Sequence, residues 1–196
     1  MLVSFGANTL SETQVTTFVG EGARMLVSRA LAAAGLPAIL LERALAAFLE
    51  AYNGRLLDET RPYDGVPDVV AHAAAAGAAL GVITNKPQSP TERLLHAFGL
   101  APHFRWVIGG DTAFPRKPDP ASLVWMMKEA GVGPARTLFV GDSPVDAATA
   151  RRAGANFCLA AYGFGQAREA TTLGPDEFRA ATARDISGAV DLVRAR

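Results

Sequence analysis

The chain has 196 residues, 49% of them hydrophobic and 19% charged, with 19 Lys plus Arg against 19 Asp plus Glu. That is material for one domain with a small appendage, and it argues against a disordered chain. A formal net charge of zero argues against nucleic acid or an anionic membrane as the main partner. The single cysteine, Cys158, rules out a disulfide framework within one chain and suits a reducing cytoplasm. No basic stretch followed by an apolar run opens the sequence, so no signal peptide is visible. The longest apolar-rich stretch, Val69 to Ile83, contains His72 and Gly77 and reads as a helix followed by a strand, not a membrane span. Abundant alanine and arginine fit a GC-rich bacterial genome.

Residues 1–58 carry helical signals only. Ser11 and Gln14 have capping-box spacing and open a short helix expected to reach Val19. After "GEG" (Gly20, Glu21, Gly22), "ARMLVSRALAAAG" reads as a second helix stopped by Gly35. In "AILLERALAAFLEAYNG", Leu41, Leu45, Phe48 and Tyr52 recur at spacings of three and four, so a third helix should run to Asn53-Gly54. This half is a small helical domain.

Residues 59–196 change grammar. From Arg61 on, "AALGVITN", "FRWVIGG", "TLFVGD" and "NFCLAAY" read as strands. Helices between them are signalled by Ser89-Pro90, Asp119-Pro120 and Ser143-Pro144, and "DISGAVDLVRA" closes the chain as an amphipathic helix. Strand–helix alternation predicts an α/β fold, a parallel sheet between two helical layers. Ligands in such sheets lie beyond the carboxyl ends of the strands.

Three strand ends carry suitable chemistry. Thr84-Asn85-Lys86 offers a hydroxyl and backbone N–H groups for a phosphate oxygen, although an ordinary turn uses the same residues. Lys117, in "PRKPDP", is presented by a loop stiffened by Pro115, Pro118 and Pro120, and can neutralise an anion. Asp142 ends a strand, and Asp146 follows in the first helical turn. Asp146 has a purely local reading as the N3 partner of Ser143, whereas Asp142 at a strand edge beside another acid calls for a cation or a proton. Hard oxygen ligands there suit Mg²⁺.

Taken in order, "GVITNKP", the lysine of "RKPDP" and "LFVGDSPVDAATARRAG" resemble the haloacid dehalogenase superfamily of phosphotransferases. With "VTTFVGEGARMLVSRAL", "VIGGDT" and "KPDPASL", the closest resemblance within it is to the phosphoglycolate phosphatases, over Ser11 to about Gly163. That resemblance implies a Rossmann-like core (59–196) under a helical cap (1–58), and a cytoplasmic enzyme acting on a small phosphorylated metabolite. It implies that Thr84, Asn85 and Lys86 bind the transferring phosphoryl group and that Lys117 offsets charge on nucleophile and phosphate. Asp142 and Asp146 position Mg²⁺, and the cap residues Gly20, Glu21 and Gly22 help select the substrate. Arg24 is a candidate partner for a substrate carboxylate, or a surface helix residue.

The family mechanism runs through an aspartyl-phosphate formed at an Asp-x-Asp-Gly-Thr motif on the first, central strand. This sequence has no such motif. Aligning "FGANTLSE" with it puts Phe5 and Ala7 at the two acid positions, so "LVSFGANTLSETQVTTFVGEG" is better placed within the cap. The first strand is then missing. Its neighbours must close up, borrow a segment from a second copy or recruit "LVSF", and a raised tendency to form a homodimer or aggregate follows. Phosphatase activity of these residues alone is expected at background. The rival readings are a non-catalytic module that keeps the phosphate and Mg²⁺ pocket, and a phosphatase or mutase for another small phosphate ester. His72, His96 and His103 lack metal-ligand spacing, Trp106, Trp125, Met126 and Met127 read as core, and Asp111 reads as a turn residue or a neighbour of the site.

Overall fold

A computed structural model describes residues 1–164 and 172–196, and its chain divides into two compact units, Met1–Thr60 and Arg61–Arg196. Ala167 to Thr171, where the tail begins, lie outside the described residues.

The first unit is built from a 3-10 turn (Leu2–Phe5), α1 (Glu12–Thr16), α2 (Ala23–Ala33), a second 3-10 turn (Ala38–Leu40) and α3 (Leu41–Gly54). Ser11 and Gln14 form the expected capping box. The helix stops at Thr16 instead of reaching Val19. Thr16 and Thr17 turn their hydroxyls back onto the carbonyls of Glu12 and Gln14, a local bonding that competes with helix propagation. Val27, Leu31 and Ala44 are buried between α2 and α3, and Leu2, Phe5, Leu41, Leu45 and Phe48 pack around them. These positions share one stripe of each helix, which is why the spacing was legible. "LVSF" forms no strand; its Leu2 and Phe5 belong to this cluster.

The second unit alternates α4 (Val66–Ala75), β1 (Leu80–Ile83), α5 (Gln88–Ala97), β2 (Phe104–Ile108), α6 (Ala121–Ala130), β3 (Leu138–Gly141), α7 (Pro144–Ala153), β4 (Asn156–Ala160), β5 (Phe178–Ala180) and α8 (Ala183–Arg194). All ladders are parallel. Along β4 the faces alternate. Phe157 and Leu159 join Leu123, Met127, Ala147 and Ala150 of α6 and α7, whereas Cys158 joins Val69, Ile186 and Ala189 of α4 and α8. Period-two side chains thus bury both faces, giving three layers. Met126 and Met127 are buried, and Trp106 and Trp125 meet edge to face at 6.2 Å. The strand β5 was not signalled in the sequence. It is three residues long, pairs with β4 among the described residues, and its alternation is too short to register.

The ladders form two sheets, β1-β2 and β3-β4-β5. Neither expected repair of the sheet from within is seen: β1 does not pair with β3, and "LVSF" stays in the first unit. A cavity of about 490 Å³ lies between them instead, lined by Leu80–Ile83 and Leu138–Val140.

Candidate active site

Parallel strands point their carboxyl ends the same way, and the polar residues after β1 and β3 meet through one loop. After β1, the Thr84 amide donates to the Ile108 carbonyl at 3.0 Å, extending the ladder to β2. The Thr84 hydroxyl accepts the Lys86 amide at 3.1 Å. A hydroxyl engaged as an acceptor keeps its O–H for another oxygen. The buried Asn85 donates from Nδ2 to the Lys117 carbonyl at 3.1 Å, tying the end of β1 to the proline-rich loop.

Glycine makes this approach feasible. A Cβ on Gly110 would lie 2.4 Å from the Asn85 carbonyl oxygen, and one on Gly109 would lie 2.4 Å from the Gln88 amide nitrogen. Gln88, not Ser89, opens α5. Its amide donates to Asp111 Oδ1 at 2.7 Å, and its side chain bonds Gly109 N and Val107 O. Asp111 therefore serves as a helix cap supplied from the next strand end, a role that local sequence spacing does not reveal.

Lys117 reaches from the loop to the end of β3. Arg116 anchors the loop by donating from Nε to the Gly110 carbonyl at 2.6 Å. The Lys117 ammonium lies 5.7 Å from the Phe139 ring centroid and donates to Asp146 Oδ1 at 2.5 Å. Both side chains are largely buried, 13% and 6% exposed. The other Asp146 oxygen, Oδ2, accepts from Ser143 Oγ at 2.6 Å, Ser143 N at 3.1 Å and Asp142 N at 3.2 Å. Asp146 thus completes the capping box of α7 and anchors Lys117 with the same carboxylate.

Asp142 accepts the Phe164 amide at Oδ2, 3.0 Å away. The chain comes close there because Gly163 has no side chain; a Cβ would stand 2.3 Å from Asp142 Cβ. Burial, and then the neighbouring charge of Asp146, push the Asp142 carboxyl above its ordinary range, against the opposing pull of the Phe164 amide and Lys117. A carboxyl whose folded-state pKa is raised opposes folding once ionised. Its penalty grows as pH rises from the unfolded value through the folded one, and is absent below both. Asp142→Asn keeps an acceptor for Phe164 and removes the charge. It should stabilise the fold at pH 7 by about 1 kcal/mol, roughly 2–4 °C in Tm, and this gain should shrink in melts at acidic pH.

Asn85, Lys117, Asp146 and Asp142 are therefore linked through consecutive hydrogen bonds at the strand ends, and the Thr84 hydroxyl bonds the Lys86 amide in the turn that holds Asn85. Gly20, Glu21, Gly22 and Arg24 belong to the first unit. Gly20 and Gly22 have φ of 126° and 89°, and Gly22 N-caps α2. Glu21 pairs with Arg29, and Arg24 donates to both carboxylate oxygens of Glu42 at 2.7 and 2.9 Å on an exposed face. His72 bonds Asp191 at 3.1 Å. Among the described residues no three His, Cys, Asp or Glu side chains cluster as a metal site, and no helix is long and apolar enough to cross a membrane.

Residues 1–160 match the family described as haloacid dehalogenase-like hydrolase. The chain is 42% identical over 188 residues to phosphoglycolate phosphatase 1 of Pseudomonas aeruginosa, covering 91% of this chain and 68% of that protein. It is also 42% identical over 161 residues to a phosphoglycolate phosphatase of Rhodospirillum rubrum, covering 79% and 67%. Among solved structures, a predicted phosphoglycolate phosphatase from Haemophilus somnus superposes with a TM-score of 0.87 at 28% identity, covering 96% of this chain and 86% of that one.

Proposed function

The chain belongs to the haloacid dehalogenase-like hydrolases, and from that footing we propose that it provides the phosphate clamp and cation rim of a Mg²⁺-dependent phosphomonoester hydrolase of the phosphoglycolate phosphatase class. The observation that carries the reading is the reach of Lys117 across the strand ends, backbone bonded to Asn85 and ammonium bonded to Asp146. One ammonium faces two carboxylates, so the rim alone is net negative and would repel a phosphate dianion. A divalent cation reverses that sign.

The residues fit such a cation. Asp142 is a hard oxygen donor at a strand end, its carboxyl raised first by burial and then by the charge of Asp146, and a nearby cation would offset both. It is the primary ligand on this reading. Asp146, with both oxygens engaged, sets the direction of Asp142 and Lys117 and adds negative charge close by. Bound Mg²⁺ would supply charge stabilisation to the phosphoryl oxygens. Thr84 would donate its hydroxyl hydrogen to one of those oxygens. The turn amides of Asn85 and Lys86 and the Lys117 ammonium would hold the anion in place. The Gly20–Gly22 turn and Arg24 would act in substrate choice, with the Arg24–Glu42 pair giving way to a substrate carboxylate.

Substrate on this reading is a small phosphorylated metabolite, 2-phosphoglycolate foremost, and the setting is the cytoplasm, without nucleic acid or membrane partners. No Asp-x-Asp-Gly-Thr stands in residues 1–196, so the attacking carboxylate is not among them. Phosphate release from 2-phosphoglycolate by this polypeptide is therefore expected at background, because charge stabilisation alone forms no phosphoryl-enzyme. Mg²⁺-dependent turnover that Asp142→Asn abolishes would overturn that expectation. Titration calorimetry tests the clamp without turnover: Mg²⁺ should bind the wild type and bind Asp142→Asn at least tenfold more weakly, about 1.4 kcal/mol. The division into two sheets favours one second reading, a binding module that holds metal and phosphate without chemistry. Binding with no turnover in any longer form of the protein would support it.

A further inference from the structure

A lysine ammonium ends a flexible four-carbon stem, so its reach is only as fixed as the backbone that carries it. At Lys117 that backbone is gripped at two successive carbonyls from two different elements. Asn85, just beyond β1, donates to the Lys117 carbonyl at 3.1 Å. Arg152, in the last turn of α7, donates from Nη1 to the Pro118 carbonyl at 3.0 Å. The Pro118 carbonyl shares a peptide plane with the Asp119 amide, which donates to the Arg116 carbonyl at 3.0 Å. That plane is therefore held on both edges, by Arg152 on one and by the turn around Lys117 on the other. The Asp119 side chain carries the chain of bonds onward by accepting the Ala121 amide at 2.9 Å where α6 begins.

The helix that supplies Arg152 also carries Asp146, six residues earlier and about 9 Å along the axis. Asp146 receives the Lys117 ammonium. One helix thus holds the far end of the lysine and the peptide that follows it. Arg152 is exposed, and among the described residues it pairs with no carboxylate; its bond goes to a carbonyl 34 residues away in the chain. Arg151 beside it turns elsewhere, to Glu177 and the Thr172 carbonyl. In the sequence the two arginines look alike, two charges on a solvated helix end.

We propose that Arg152 is a positioning residue for Lys117: by holding the Pro118–Asp119 peptide it fixes the base of that side chain, so that α7 sets where the lysine starts and, through Asp146, where its ammonium ends. The effect on phosphate rests on the phosphatase reading given above; the effect on the Lys117–Asp146 pair does not.

The test compares Arg152→Met with Arg151→Met in the 1–196 protein. Each replacement removes one charge and one set of donors, but only the first touches the loop. Urea unfolding of Lys117→Met, Asp146→Asn and their combination gives the coupling between the two residues in each background. It should fall by about half or more with Arg152→Met and change by less than about a fifth with Arg151→Met. Should the Lys117 variants fail to fold, amide hydrogen exchange on the single arginine variants decides: Asp119 should exchange about tenfold faster or more in Arg152→Met and at the wild-type rate in Arg151→Met. An undiminished coupling, an undiminished Asp119 protection where that measurement decides, or equal losses from the two arginines overturns the inference. Calorimetry adds the functional arm. With Mg²⁺ present, Arg152→Met should bind inorganic phosphate about fivefold more weakly or worse, while Mg²⁺ itself binds within about twofold of wild type. A general loss of stability would not split the two ligands in this way, and equal weakening of both overturns the inference. A wild type that binds no phosphate overturns the phosphatase reading instead, and the coupling then judges Arg152 alone.

Discussion

Lys117→Met is expected to lower the unfolding free energy by about 3–5 kcal/mol. The side chain of Asp146 is 6% exposed, and Lys117 is the cation within bonding distance of it. Removing the ammonium leaves a buried carboxylate whose remaining donors, Ser143 Oγ and two backbone amides, satisfy only Oδ2. Methionine preserves most of the aliphatic stem over Phe139, so the loss reports charge and not packing. Urea unfolding measures it. The double variant Lys117→Met/Asp146→Asn should be more stable than Lys117→Met alone, since the uncompensated charge is gone, and the cycle gives the coupling between the two residues. A deficit below about 1 kcal/mol for Lys117→Met would mean that the pair behaves as a solvent-screened surface contact.

A second large effect is expected from a single methyl group. In Gly141→Ala the new Cβ would stand 2.3 Å from both Cβ and Cγ of Asp146. Asp146 must then move, although it is held by its capping box and by Lys117. Overpacking of this kind costs about 1–3 kcal/mol, and displacement of Asp146 and its link to the Asp142 amide should remove Mg²⁺ binding as well. Gly188→Ala is the contrast. It lies inside α8 with nothing within 4 Å of the new methyl group, and alanine is favoured over glycine in a helix by about 1 kcal/mol. The same chemical change should therefore lower Tm at Gly141 and raise it at Gly188. Equal effects at the two positions would show that the close approach to Asp146 is not rigid.

Much of the site was legible because its parts are local. The Ser143–Asp146 capping box is a four-residue pattern and can be read from four letters. Thr84 and Asp142 follow apolar runs that read as strands, and parallel topology sends their ends in one direction. Other parts carry no local signal. Asp111 reaches the Gln88 amide from another strand end, and Gly163 and Phe164 reach Asp142 from beyond β4. Such contacts span chain separations at which spacing conveys nothing. The N-terminus of α5 was misplaced for the same reason: Ser89-Pro90 looks like a cap, but the donor at Gln88 is satisfied by Asp111 from a distance. Cys158 is a milder case. In the sequence it served only to exclude a disulfide framework, whereas the fold buries it on β4, and burial pushes its thiol up to about 11, the behaviour of an inert packed side chain.

By itself the sequence determined the periods: 3.6 in the first unit, then 2 and 3.6 alternating in the second, and with them the element types and the candidate acids, hydroxyl and lysine. Those depend on a few neighbouring residues, where backbone sterics and capping decide. Tertiary structure alone decided which backbone edges found partners, that the strands form two sheets around a cavity, and that Lys117 lies on Asp146. These outcomes depend on hydrogen bonding and desolvation between segments far apart in the chain, and no local pattern of residues encodes them.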